Sequence, residues 1–533
     1  MARLTPSAGS ILVRMYRQGH GDCFLMAFPG DDGAPRYVLI DCGLKKKSEI
    51  NADWPIEKII KDIGEATDNH IHVVVVTHEH EDHVSGFLAR SVDDPTAKAW
   101  DSIVIDEVWL AWTEDRNDEL ANQLRKRFED TLLALIGLTG DPSGNALRSG
   151  LGFIGEALAF HTGEEDVGIE VTIRAAQLQS TDPNLSLREA QQMAIAGVSN
   201  KKAIKFIRDH AEKGVNFLRP DKGPYEVPGV SGLRVFALGP PRDAALLLSL
   251  DPQGAEEFRM GMVSDRESRT LLAAYEEDST TDRPFGRRYG LQISEIAGAA
   301  SDEASQFFIS HYGLKATPSM RRSGRRHLPR APHPNDWRRI DDDWLGTADE
   351  LALRLNSEVN NTSLVLAFEL PNTGKVLLFA GDAQRGSWVS WSKLSWRPDA
   401  PANAITARDL LSRCVLYKVG HHGSHNATLN GAASDDYANL SWMAQDEFRE
   451  EFTAMIPANE PWALDLKPVP WRHPLKAIYN ALQKKARGRV LQSDKGAPIR
   501  PDDVSEAEWA NFSKRTKTKD HYFEYEIHDS WYQ

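Results

Sequence analysis

One stretch constrains this chain more than any other: Val73-Val74-Val75-Val76-Thr77-His78-Glu79-His80-Glu81-Asp82-His83. The valine run reads as a short strand buried on both faces. Polarity then flips within one residue to imidazoles and a carboxylate, in the order His-x-His-x-Asp-His. Such a cluster belongs at the mouth of a sheet, where a loop presents side chains at a strand's carboxyl end. In extended chain His78 and His80 project to one side, because side chains alternate with period two. Asp82 and His83 are adjacent, so they diverge and can serve a second centre nearby. Val84, Phe87 and Leu88 follow at helical spacing, so Asp82 and His83 should open a helix. Imidazole and carboxylate donors suit zinc or manganese better than calcium or magnesium. The expectation is a metal site.

Bulk properties narrow the class. At 533 residues the chain should hold one large elaborated domain or two to three domains. With 41% hydrophobic and 26% charged residues it reads as a soluble globular protein. No apolar run approaches the length of a membrane span, and Met1 to Arg14 lacks the pattern of a signal peptide. The cysteines are only Cys23, Cys42 and Cys414, which argues against a disulfide scaffold and for a reducing compartment. A cytoplasmic location with no membrane partner is expected. A net charge of −14 repels polyanions on average, so any nucleic-acid face must be local. A small or terminal anionic substrate fits that field better.

Taken in order, the chain opens with strands at 11–16, 24–28 and 37–40, a helix at 56–63 and the valine strand. Residues 1–95 thus form a first αβ half, and 96–214 a helical insertion. Trp109 and Trp112 should pack that insertion onto the sheet. Residues 215–241 return to the core sheet, and 242–350 form a second insertion. Within it Arg321, Arg322, Arg325, Arg326, Arg330, Arg338 and Arg339 concentrate basic charge. That stretch is either an electropositive flap over the substrate or a solvated loop. Residues 351–533 form a second βα half, in which two more buried strands end on ligand-type residues. One runs into Gly381-Asp382 and the other into Gly420-His421-His422-Gly423.

Separate strands ending in such residues are what a dinuclear site at a sheet edge requires. Asp382 can bridge two ions, and His421 can close the second with Asp82 and His83. His422 then stands beside the centre or near the substrate, although the choice between the two histidines is open. Asp41 ends another buried strand, as an orienting partner for a ligand histidine or as a turn cap. Water held between two such cations loses a proton near neutral pH and becomes a nucleophile.

The Thr77-His-x-His-x-Asp-His83 string resembles the signature of the metallo-β-lactamase fold. That resemblance implies a four-layer αββα sandwich, here an α/β chain with large, mostly helical insertions. Further motifs are Gly19-His20-Gly21-Asp22-Cys23, Leu39-Ile40-Asp41-Cys42-Gly43 and Asn361-Thr362-Ser363. With Lys418-Val419-Gly420-His421-His422-Gly423-Ser424 and His473-Pro474, they resemble the hydrolase domain of ComEC-type competence proteins. The match covers about 11–90, 213–241, 358–425 and 453–496, and the membrane channel of that family has no counterpart. The resemblance implies a metal-dependent phosphodiesterase or nuclease holding one or two zinc or manganese ions. It places His78, His80, Asp82, His83, Asp382 and His421 on metal, and Asp82, His422 and His473 in catalysis. His473 would give a proton to the leaving oxygen. Where many relatives carry another histidine, this sequence holds Asn361, so a neighbouring role beside the first ion is expected for it. His161, His210, His311, His327 and His333 lie in the insertions. Fold alone does not separate phosphodiesters from carbonyl esters, lactones or thioesters, nor from a non-catalytic metal-binding regulator.

Overall fold

A computed structural model describes residues 3–88, 94–139, 152–164, 166–253, 343–396, 404–466 and 470–530, with single positions at 256 and 307. Two mixed sheets dominate. The first half supplies β1 (Ser10–Tyr16), β2 (Cys23–Pro29), β3 (Pro35–Cys42), β4 (His70–Val76), β5 (Val104–Ala111) and β6 (Ala211–Leu218). The second supplies β7 (Arg234–Gly239), β8 (Val365–Glu369), β9 (Val376–Phe379), the small ribbon β10 (Ser395–Trp396) and β11 (Ile405–Thr406), and β12 (Cys414–Lys418). Then come β13 (Thr453–Ile456), β14 (Val490–Gln492), β15 (Thr516–Thr518) and β16 (Tyr522–His528). The eight-stranded sheet runs β15-β16-β1-β2-β3-β4-β5-β6, and the six-stranded sheet runs β14-β13-β12-β9-β8-β7. Strands β3 to β6 are parallel neighbours, as are β9, β12, β13 and β14. The chain is therefore α/β.

Alternation along the strands explains the packing. Val73 and Val75 of β4 join one apolar cluster with Leu366, Phe368, Leu377 and Phe379 of the other sheet. Val74 and Val76 turn the opposite way, to Ile59, Ile60 and Ile63 of the helix Ile56–Thr67. The six-stranded sheet likewise turns Val376 and Leu378 toward Trp388, Trp391 and Leu482 on helices. Phe24 of the first sheet meets Phe379 of the second edge-on, with ring centroids 5.5 Å apart. Such buried aromatic and aliphatic residues each contribute roughly 1.5–3 kcal/mol.

The sequence boundaries move in three places. The helical pattern read through 96–214 conceals β5, a central strand whose Trp109 points between the sheets. Its parallel pairing along β4 overrides the helical look of the flanking sequence. Helix also stops at Asp209 rather than running to 213, because Ala211 starts β6. The C-terminal strand β16, unread in the sequence, pairs with β1 along Ser10–Tyr16 and sends Phe523, Tyr525 and Ile527 into the core between the sheets. The remaining insertion helices have their own apolar cluster, shared with Leu351, Leu355 and Val359 of the helix Asp343–Asn360. The basic stretch from Arg321 to Arg339, with His311, His327 and His333, lies outside the described residues. Among the described residues no helix is long and apolar enough to cross a membrane.

Candidate metal centre

Ends of β4, β9 and β12 meet at one edge. Thr77, just past β4, accepts the Leu364 amide through its carbonyl at 2.9 Å, and the His421 amide donates to the Gly381 carbonyl at 3.2 Å. Gly381 has φ +53, and a Cβ there would sit 2.9 Å from Ser363 Cβ and 3.2 Å from Thr77 Cβ. Gly43 is equally constrained: its Cβ would lie 2.5 Å from the Asp82–His83 peptide. Both glycines let strand ends close on the metal loop. His80 caps a short helix, Glu81–Val84, that carries Asp82 and His83.

Asp82, His83, Asp382 and His422 are fully buried together, and one ligand atom from each lies within 4.8 Å of all the others. Hydrogen bonds on the far side of each ring decide what the near side can do. His422 Nδ1–H donates to the Pro457 carbonyl at 2.8 Å, which leaves Nε2 as the nitrogen open to a metal. Without metal the protonated ring donates from Nε2 to Asp82 Oδ2 at 2.8 Å, with Asp382 Oδ2 at 3.7 Å. His83 Nδ1–H donates to Asp41 Oδ2 at 2.7 Å, so its Nε2 is the nitrogen that faces Asp382 Oδ1 at 3.3 Å. Ring nitrogens aimed at carboxylates need a proton or a metal cation between them. His83 Nε2, Asp82 Oδ1 and both Asp382 oxygens also lack any hydrogen-bond partner among the described residues. Buried orphans of this kind fit a divalent ion with nitrogen and oxygen donors.

Beside this set, His78 Nε2 and His80 Nδ1 stand 3.1 Å apart, a separation suited to two ligands on one tetrahedral ion. His78 Nδ1 lies 3.1 Å from Thr77 Oγ1, which itself donates to Asp41 Oδ2 at 2.7 Å. Asp41 thus orients His83 directly and His78 through Thr77.

Electrostatics agree with the donor geometry. Burial, then neighbouring imidazoles, holds the pKa of His20, His78, His80 and His473 well below the usual value, keeping these rings neutral. Burial also opposes charge on His83 and His422, but Asp382 and the other carboxylates outweigh it and raise both. Those two rings therefore hold the protons that a metal would displace. Lys418, buried, is ion-paired with Asp22 and lies 3.6 Å from Asp382 Oδ1.

One expected ligand, His421, and one expected neighbour, Asn361, are placed differently. His421 reaches only 3.9 Å from Asp382 Oδ2, and His422, not His421, joins the four-residue set. Both residues adopt positive φ, 43° and 51°, which turns the second ring inward after the strand ends. The Asn361 side chain is engaged away from the four-residue set: its amide donates to the Leu246 and Leu247 carbonyls and accepts from the Gln384 and Ser387 amides. The preceding Asn360 approaches His421 instead, with Nδ2 to Nε2 at 3.3 Å.

Other residues at the centre carried no assigned role in the sequence. His20 accepts the Asn459 amide on Nδ1 at 3.2 Å, so its Nε2–H donates to His473 Nδ1 at 3.3 Å. His473 then carries its own proton on Nε2, and its ring centroid is 5.3 Å from that of His421. Trp462 and Trp471 stack around His20 at 5.1 and 6.1 Å. His161, from the helix Gly152–Thr162, is buried with its ring centroid 5.8 Å from that of His80. The motif Gly-His-Gly-Asp pointed to His20 and Asp22; nothing in the local sequence pointed to His161.

A separate grouping of His70, His72 and Asp106 lies at the opposite end of β4. There the Tyr37 amide donates to His72 Nδ1 at 3.1 Å, which fixes the proton on Nε2 and removes that nitrogen as a ligand.

This geometry predicts that His422→Ala lowers bound zinc or manganese by about tenfold or more in affinity, and His421→Ala by less. Competition with a chromophoric chelator measures both. Comparisons of the chain with models of protein families, with curated proteins and with solved structures each returned no match.

Proposed function

We propose that the chain is a metal-dependent hydrolase of phosphodiester bonds, with the helix-flanked pair of sheets forming a metallo-β-lactamase-type αββα sandwich. The observation that carries this is the inward Nε2 atoms of His83 and His422, facing Asp82 and Asp382 in a buried set. Asp82, His83, Asp382 and His422 would hold one zinc or manganese ion, and His78 and His80 would hold a second beside it. Bound there, such ions lower the pKa of water and neutralise charge on a phosphoryl oxygen.

The chain's own groups do the rest. Asp41 and Pro457 hold the two ligand rings in one tautomer and orientation. Neutral His473, its Nδ1 occupied by His20, presents Nε2–H as a hydrogen-bond donor to an oxygen that gains charge. That role differs from the proton donation expected of it, because its depressed pKa leaves no imidazolium to give the proton.

The test is turnover of bis(p-nitrophenyl) phosphate beside a lactone and a thioester, with zinc or manganese added. Phosphodiester hydrolysis that a chelator removes is expected; activity on the lactone or thioester alone would overturn the substrate class. Within that assay, His473→Ala should lower kcat by about 10²–10³-fold with metal content intact.

A further inference from the structure

A cavity of about 470 Å3 lies between the metal edge and the helical block, lined by His78 and His161 among others. That volume is in the range of small-molecule sites, roughly 300–1,000 Å3. Its charge is uneven. Of its carboxylates, Glu129 faces Lys201 at 3.5 Å, Asp209 is paired with Lys205, and Glu79 faces His161 at 3.6 Å. Four lining cations, Arg116, Arg125, Lys202 and Arg208, have no close ion pair with a carboxylate among the described residues, although Arg125 and Arg208 feel Glu114 at longer range. Among the described residues Arg125 bonds to neutral oxygens: the Thr113 carbonyl, the Asp115 carbonyl and the Asn122 side chain. The Arg208 guanidinium sits 5.6 Å from the centre of the Phe217 ring. Against them stand Glu79, beside a neutral His161, and Glu114, whose pKa burial and then Glu79 raise to about 7. A concave surplus of cations in a chain of net charge −14 is a local trap for anions.

We propose that this cavity binds the phosphate end of a small phosphorylated ligand of nucleotide size. Arg125, Lys202 and Arg208 are its partners, and His78 sets that ligand beside the metal centre. Guanidinium forks suit the bidentate geometry of a phosphate. As the substrate pocket, the cavity rests on the hydrolase function proposed above; as a binding site it does not.

Calorimetric titration of the zinc-loaded full chain with adenosine 5′-monophosphate tests this, with adenosine as the uncharged control. The monophosphate should bind and adenosine should not. Lys202→Glu with Arg208→Glu should weaken the monophosphate at least about tenfold. Lys202→Glu alone, at an exposed position, should weaken it several-fold and keeps the test decisive if the double variant fails to fold. Equal binding of both compounds, or an affinity that ignores both substitutions, overturns the proposal. Charge-dependent binding without hydrolysis of any phosphodiester would leave the cavity standing and remove the hydrolase function. Hydrolysis with an affinity blind to these cations would do the reverse.

Discussion

Asp382→Ala should abolish phosphodiester hydrolysis, by at least about 10³-fold in kcat/KM, and strip most of the bound metal. Asp382 is the residue that touches the most of the centre: His83 at 3.3 Å, His422 at 3.7 Å and His421 at 3.9 Å. Among the described residues neither of its oxygens has a hydrogen-bond donor, and its charge faces the imidazoles and the Lys418 ammonium at 3.6 Å. Stability should separate this role from a merely structural one. Asp382→Asn keeps the shape and removes a buried charge that costs free energy unless paired. Without metal, its melting temperature should match or exceed that of the wild type. With zinc at about 1,000 times its Kd, the wild type should gain about 4 kcal/mol and the variant far less. Equal zinc responses would mean that Asp382 holds no ion.

The second large effect is loss of stability in acid. Seven histidines, His20, His72, His78, His80, His161, His421 and His473, have pKa values that burial pushes below the usual 6.5. As pH falls through 6.5 the unfolded chain takes up a proton at each, and the folded chain does not. Unfolding therefore consumes protons, and stability drops by up to about 1.4 kcal/mol per pH unit for each histidine. His83 and His422 have raised folded values, so their contribution is complete below 6.5 and is lost only as pH rises through those values. Asp22, Glu79, Glu114 and Asp494, raised by burial, oppose the trend with one proton each at most. Seven against four keeps the sign. Urea midpoints of chelator-treated protein should be lower at pH 5.5 than at pH 7.5; an unchanged midpoint would show that these rings already carry protons when folded.

The legible part of the sequence is where local chemistry and local period agree. Four valines followed by His-x-His-x-Asp-His mark a buried strand and its loop, and both stand where the residues imply. Strands ending at Asp382 and at His421-His422 were visible for the same reason. What stayed hidden depended on contacts far apart in the chain. Whether His421 or His422 turns inward is set by two successive positive φ values, which the residue types do not announce. Asn361 looks like a ligand position, yet two carbonyls near Leu247 claim its amide. His161 reaches the centre because helices of the insertion share an apolar cluster with Asp343–Asn360, a pairing across about two hundred residues. β16 carried a period-two signal in Phe523, Tyr525 and Ile527, but its partner β1 lies at the other end of the chain.

Anomalous diffraction from zinc-soaked crystals, collected at the zinc edge, tests the central claim most directly. A peak is expected about 2.0–2.2 Å from Nε2 of His83 and His422 and from the carboxylates of Asp82 and Asp382. No peak among those four residues, with zinc elsewhere or absent, would contradict it.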